Sequence, residues 1–236
     1  MKSGKPIGWL LITGAVGILI PYSILTITFQ YPDILREDTG QILRKFHEGG
    51  NRLIFTWLFF ALIGFPLIPA YSMIGQKFEK HSSLIRFATS IGITGLILQM
   101  IGLLRWTFVV PVLAKSFVTA TDTATSTAAI HSFNVIHQFG GVLIGEHLGQ
   151  LFTIIWSIIL SISFIRLKVF PQWIHILGII SALIYLTAQT ELLSTIMPGM
   201  PVWEMGGFIG STLWLIWLII LGVHFIKETK GPGPKG

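Results

Sequence analysis

Six long apolar runs decide what this chain can fold into. They lie near 7–29, 52–75, 84–110, 141–165, 172–195 and 204–226. Each is long enough for the roughly 20 residues that carry a helix across about 30 Å of hydrocarbon. Inside lipid a backbone must satisfy its own hydrogen bonds, so helices and closed barrels are the only spanning structures. Unbroken apolar runs of this length predict helices. The expected fold is therefore all-α: an integral membrane bundle of six transmembrane helices over 1–226. The remainder, 227–236 (KETKGPGPKG), is basic and rich in Gly and Pro, and is expected to be a disordered tail. Composition agrees, with 52% hydrophobic residues, only 11% charged and a mean hydropathy of +0.75. Cysteine is absent, which excludes disulfides, thiolate metal sites and cysteine nucleophiles. The first run follows a basic MKSGKP. It is too long for the apolar core of a signal peptide, so a retained span is expected.

The formal charge of +6 does not point to nucleic acid, because the basic residues collect at the ends of the apolar runs. Lys2, Lys5, Lys77, Lys80, Arg86, Arg166, Lys168, Lys227, Lys230 and Lys235 fall on one side of the membrane. Arg36, Arg44, Lys45, Arg52, Arg105 and Lys115 fall on or near the other. This asymmetry predicts that both termini are cytoplasmic. Two outer loops are long. In 30–51, Asp38 or Thr39 can cap a short helix that ends at Gly49–Gly50, with Ile42, Leu43 and Phe46 on one face. That helix is expected to lie in the membrane interface. In 111–140, Thr125 or Ser126 can cap a helix that runs on into the fourth span and bends near Gly140–Gly141. Trp9, Trp57, Trp106, Trp173 and Trp203 are placed as interfacial belt residues.

The polar residues concentrate in His131–Gln150, HSFNVIHQFGGVLIGEHLGQ. On a helical wheel of about 100° per residue, His131, Asn134, Gln138, Gly141, Gly145, Glu146, Gly149, Gln150 and Thr153 share roughly half the circumference. His137 falls just outside that half and His147 further away. Gly141, Gly145 and Gly149 form a small-xxx-small stripe, as do Gly206 and Gly210 in the sixth span. Such stripes let helix backbones approach closely. Counting residues from the inner ends puts Arg105, Glu146, His147, Gln189, Glu191 and Glu204 at one depth, in the outer third of the bundle. Charges there are costly unless paired or wet, which makes them candidates for function. The simpler reading is an ion pair of Arg105 with Glu146 or Glu191 that pins helix packing. Span three carries its own small or polar face, Gly92, Gly95, Gln99 and Gly102, bordering Arg105. That places Glu146 beside Arg105 in a polar pocket between spans three and four, with His131, Asn134, His137, Gln138, His147, Gln150, Glu191 and Trp106 as further candidates to line it.

Three strings, YPDIL at 31–35, GLLRW with VPVLA at 102–114, and GVLIGEHLG at 141–149, resemble a bacterial membrane family defined as domain of unknown function 4386. The likeness runs from the first span to the fifth. It implies an all-helical, multi-span protein of a bacterial cytoplasmic membrane, and brings no activity or catalytic residue with it.

Function has to come from the site itself. His131, His137, Glu146 and His147 are suitable metal-ligand types, but no two of these histidines are three or four apart, so no helical clamp exists. Haem b would need facing histidines such as His175 and His224. Neither a metal nor haem is expected. No strained serine turn, phosphate loop or dinucleotide fingerprint is present. Three classes stay open. The first is a binding or accessory membrane protein with an outward pocket for a lipid, quinone or small ligand, beside other membrane subunits or a second copy. An intramembrane enzyme using Glu146 comes next, and a small transporter last. The topology is directly testable: a reporter fused after Gly236 and one inserted near Asp122 should report opposite sides of the membrane.

Overall fold

The computed structural model describes residues 4–227, and every regular element among them is helical. In chain order these are α1 (Lys5–Phe29), a 3₁₀ turn (Asp33–Arg36), α2 (Thr39–Ile63), α3 (Leu67–Phe78), α4 (Ser83–Phe108), α5 (Val110–Val118) and α6 (Thr123–Ile136). A π-helical segment, His137–Leu148, follows, then α7 (Gly149–Arg166), α8 (Gln172–Leu186), α9 (Ala188–Ser194) and α10 (Met205–Lys227). They combine into six runs long and apolar enough to cross a membrane: Lys5–Phe29, Thr39–Phe78, Ser83–Val118, Thr123–Arg166, Gln172–Ser194 and Met205–Lys227. The expected tail lies outside the described residues apart from Lys227.

Local chemistry explains where these runs break. Gly50 has φ 54° and ψ −151° inside α2, a conformation open essentially only to glycine. The residues before it form an amphipathic helix that buries Ile42, Leu43 and Phe46. Pro66 stands just before α3, and Pro111 opens α5, where a missing N–H costs a helix nothing. At α6 the cap is Asp122, not the expected Thr125 or Ser126. Its carboxylate accepts from the Thr125 backbone N–H at 2.7 Å and from the Thr125 hydroxyl at 2.9 Å. A carboxylate reaches back to a free N–H at a helix start better than a residue already inside the first turn.

The chain separates into two compact units. The first comprises Met1–Gly17, Gly64–Ile97 and His147–Gly236. Within it α8 packs against both α7 and α10, and large aromatics fill the places that glycines vacate. A methyl group on Gly178 would meet the Trp217 indole, and one on Gly92 would meet Trp156. Trp156 in turn stacks on Tyr71 with ring centroids 3.7 Å apart. Gly206 is closed off by Thr187, and Gly210 by the Tyr185 backbone.

The second unit comprises Ile18–Ile63 and Leu98–Glu146. Its core is aromatic. Trp57 and Trp106 stack at 4.7 Å, Phe46 stacks on the same Trp106 at 5.7 Å, and Phe29 meets all three edge-on. Trp57 is 0% exposed and Trp106 1%, so neither belongs to an interfacial belt. Helices α5 and α6 and the amphipathic start of α2 supply the cover that their place near a span end did not reveal. Trp9, Trp173 and Trp203 are exposed, as belt residues must be.

The Asp122 cap gives a pH prediction. Hydrogen bonds from the Thr125 backbone and hydroxyl hold its carboxyl below the usual carboxylate range. A lowered pKa contributes stability at pH above the unfolded-state value and loses it as pH falls through the folded-state value. Asp122→Ala should therefore raise amide exchange in the first turn of α6 at neutral pH. Mutant and parent should converge once the pH falls below the range where the parent carboxylate ionises.

Candidate functional site

Arg105 sits near the end of α4 with only 7% of its surface exposed. One guanidinium nitrogen, Nη1, donates to the Gly102 carbonyl. The other, Nη2, lies 3.4 Å from His137 Nδ1. A guanidinium has donors only, so Nδ1 is the acceptor and the imidazole is neutral with its proton on Nε2. The Glu146 carboxylate and the Tyr31 phenol are both within electrostatic reach of the guanidinium. Its carbon lies 5.3 Å from the centre of the Trp106 ring, a cation–π distance. The third donor position, Nε, is buried and has no hydrogen-bond partner among the described residues.

Winding of the chain creates this arrangement. Residues 137–148 are π-helical, with hydrogen bonds from i to i+5 and roughly 4.4 residues per turn. Each residue then advances roughly 80° instead of 100°. His137 and Glu146, nine apart, would lie half a turn apart on an α-helix and come within about 20° of each other on a π-helix. Gly141, four residues from His137, falls on the same face. The structure matches: a methyl group at Gly141 would collide with the Arg105 guanidinium. Side chains on one π face thus supply an acceptor, an open space and a carboxylate to a single cation.

The glycines bring α4 close to this part of the chain. Gly140 and Gly145, five apart, meet Gly102 of α4: a methyl group on Gly102 would lie 3.0 Å from the Gly140 carbonyl oxygen and against the Gly145 Cα. Each glycine of the expected stripe Gly141, Gly145 and Gly149 meets α4: Gly145 packs on Gly102 and Gly141 makes room for Arg105 in the second unit, and the Gly149 carbonyl lies beside Gly95 within the first.

The remaining candidates separate. His147, Gln150 and Gln189 form a hydrogen-bonded chain in the first unit: His147 Nδ1–H donates to Gln189 Oε1 at 2.6 Å, and Gln189 Nε2 donates to Gln150 Oε1 at 3.2 Å. Glu191 belongs to that unit and is half-buried, and Glu204 is exposed. In the second unit, Asn134 is exposed and its amide oxygen accepts from the Thr39 hydroxyl at 2.8 Å. His131 is exposed, and Gln138 half-buried on the π segment. Among the described residues, no three His, Asp or Glu side chains come together as a metal-ligand set. His175 is fully buried with Nε2–H donating to the Val169 carbonyl, and His224 Nδ1 pairs with the Ile220 carbonyl at 2.9 Å.

Sequence reasoning missed Tyr31. Its ring packs edge-on to Trp57 at 5.1 Å, and it lines a cleft of about 330 Å³ with Thr26, Gln30, Asp33, Ile34 and Glu37. The YPDIL string placed it in a loop, and only the fold brings its phenol within electrostatic reach of Arg105.

The family described as domain of unknown function (DUF4386) matches residues 7–222, a stretch that holds the whole of this site. The chain belongs to the DUF4386 family. No curated protein and no solved structure matches it. Of the three strings, YPDIL supplies Tyr31, GLLRW supplies Gly102, Arg105 and Trp106, and GVLIGEHLG supplies Gly141, Gly145 and Glu146. In this DUF4386 chain they meet in one unit, around one guanidinium.

A double-mutant cycle measures the pairing. Arg105→Met alone and Glu146→Gln alone should each cost roughly 3–5 kcal/mol if they break a buried ion pair. The combination should cost clearly less than the sum, read as thermal stability in detergent. Strict additivity would dissolve the pair.

Proposed function

We propose that this protein is a membrane-embedded binding protein whose second unit holds the polar end of a lipophilic molecule at Arg105. The observation that carries the reading is the buried Nε of Arg105, which has no hydrogen-bond partner among the described residues. A buried donor left unpaired costs about 1–3 kcal/mol, and natural structures keep few of them. Arg105 already has a carboxylate near it, so its charge is balanced, and what it lacks is a neutral acceptor. A carbonyl oxygen, as on a quinone or a lipid ester, meets that need without adding a second negative charge beside Glu146. His137 Nε2–H is a second donor on the same side chain cluster. On the orientation expected from the Lys and Arg asymmetry, the site opens to the outer side of the membrane.

The winding supports a ligand role over mere pinning. Twelve residues of π-helix are a long stretch of a form that is usually a single turn and often marks functional sites. An ion pair alone would be met more cheaply by moving the carboxylate one residue along an α-helix. An enzyme would need two groups converging on a reacting atom. Here His137 is occupied by Arg105, and Glu146 faces the cation.

The test is organic extraction of protein purified in mild detergent, followed by mass spectrometry. The native chain should carry one lipophilic species in stoichiometric amount. The Arg105→Met, Glu146→Gln double variant keeps charge balance but has no guanidinium donor, and a lost charged hydrogen bond of about 1.5–3 kcal/mol should reduce retention at least roughly tenfold. Equal recovery from both would overturn the reading.

A further inference from the structure

We propose that a groove of the second unit, floored by Ile34 and flanked by Arg44, Lys45, Glu37 and Glu48, binds a phosphoethanolamine headgroup such as that of phosphatidylethanolamine. The phosphate sits on the two cations and the ammonium on the carboxylates. This site is separate from Arg105 and does not depend on what that residue holds.

Four observations converge. First, there is a groove. A cleft of about 320 Å³ has Gln30, Ile34, Glu37, Arg44, Lys45 and Glu48 among its lining residues. It lies where the end of α1, the 3₁₀ turn and the amphipathic start of α2 meet. Second, both signs of charge line it without cancelling. Arg44 and Glu48 are one helical turn apart, a spacing at which opposite charges commonly pair. Among the described residues, neither Arg44 nor Lys45 forms a salt bridge with Glu37 or Glu48. The Arg44 guanidinium instead lies 5.3 Å from the centre of the Phe117 ring, and Lys45 Nζ donates to Gln30 Oε1. An ammonium carries three donors, so this one bond leaves Lys45 able to meet a phosphate oxygen as well.

Third, Gln30 holds that lysine from a backbone at φ 57°, in the left-handed region that non-glycine residues seldom enter. Residues kept in such conformations cluster at ligand clamps. Fourth, an apolar surface leads up to the groove. Ile20 and Ile27, seven apart on one face of α1, are 53% and 82% exposed. The helix ends at Phe29, and Gln30 follows it. An acyl chain lying along that face brings its headgroup to the groove.

Charge selects the occupant. Phosphate oxygens take charge-assisted hydrogen bonds from Arg and Lys. A purely anionic head would satisfy the cations but meet repulsion from Glu37 and Glu48, and a purely cationic one would reverse the conflict. A head that carries both charges on neighbouring groups meets all four side chains. A primary ammonium suits the carboxylates because it retains N–H donors, which a quaternary one lacks.

Native mass spectrometry of the full, delipidated chain in mild detergent reads this, with dihexanoyl phosphatidylethanolamine and dihexanoyl phosphatidylglycerol as probes. The ethanolamine lipid should bind about fivefold more tightly, the factor that one exposed charge pair supplies. Glu37→Gln with Glu48→Gln should abolish that preference, and Arg44→Gln with Lys45→Gln should weaken both lipids by a similar factor. The single variants Glu48→Gln and Lys45→Gln carry the test should either pair lower the melting temperature. Equal binding of the two lipids by the native chain, a preference that survives loss of the carboxylates, or binding unaffected by loss of the cations would each overturn the proposal. Free phosphoethanolamine separates the sources of the headgroup. Displacement of the lipid by it means that the headgroup alone is recognised and a soluble compound serves equally. Selective lipid binding without such displacement assigns the site to membrane lipid, with the α1 face as part of it. Retention at Arg105 is measured separately, so the two readings fail independently.

Discussion

A guanidinium shut into a membrane-spanning helix is the constraint around which the second unit is built. Charge at that depth is tolerated only when it is paired, hydrogen-bonded or reached by water. Arg105 meets the demand with a carbonyl below it, an imidazole acceptor at one side, a carboxylate within reach and an indole face against its plane. The carbonyl comes from the same turn of α4, which is cheap, since helix carbonyls retain a free lone pair. The imidazole and the carboxylate come from the π segment, more than thirty residues along the chain. Fixing the cation therefore fixes the positions of the π segment, of Trp106 and of the Tyr31 loop within this unit.

The glycines make that burial possible. Arg105 can lie flat against the π segment because position 141 has no side chain, and α4 can approach because Gly102, Gly140 and Gly145 have none. Close approach of backbones is a general device in membranes, where no hydrophobic driving force separates helix contacts from lipid contacts and van der Waals packing has to decide. Here it has a second effect. Removing side chains at these four positions leaves a polar backbone surface around the guanidinium instead of an apolar one, which lowers the cost of placing a charge there.

Hydropathy alone exposed the six spans, because a run of some twenty apolar residues has few other fates. The Gly49–Gly50 pair marked a real break, since Gly50 takes a backbone angle that other residues avoid. Depth suggested Glu146 as a neighbour of Arg105, because residue count converts to height at about 1.5 Å per residue whichever face is presented, and the carboxylate is within electrostatic reach of the guanidinium. Face was the quantity that failed. A wheel of 100° per residue put His137 outside the polar half, and the π winding returns it to the face that carries Glu146. Nothing in HQFGGVLIGEHL distinguishes the two windings, because glycines and isolated polar residues fit either period. Trp57 and Trp106 were misplaced for a related reason. Residue count gives a height, and height does not say whether a loop helix covers the ring.

The choice of π over α winding has a physical origin in the cation itself. In an α-helix, a neutral acceptor at 137 and a carboxylate at 146 would face opposite sides, and one of them would meet lipid instead of Arg105. An unpaired carboxylate inside hydrocarbon costs several kcal/mol even after water and neighbouring groups relax around it. The π form gives up some hydrogen-bond geometry along one segment, a smaller and distributed loss. It recovers the larger sum by turning both groups toward one guanidinium. Three glycines within the segment, Gly140, Gly141 and Gly145, leave little side-chain packing to oppose the change of winding. Arg105 and the π segment therefore specify each other: the charge selects the winding, and the winding leaves the buried Nε as a donor that no described residue satisfies.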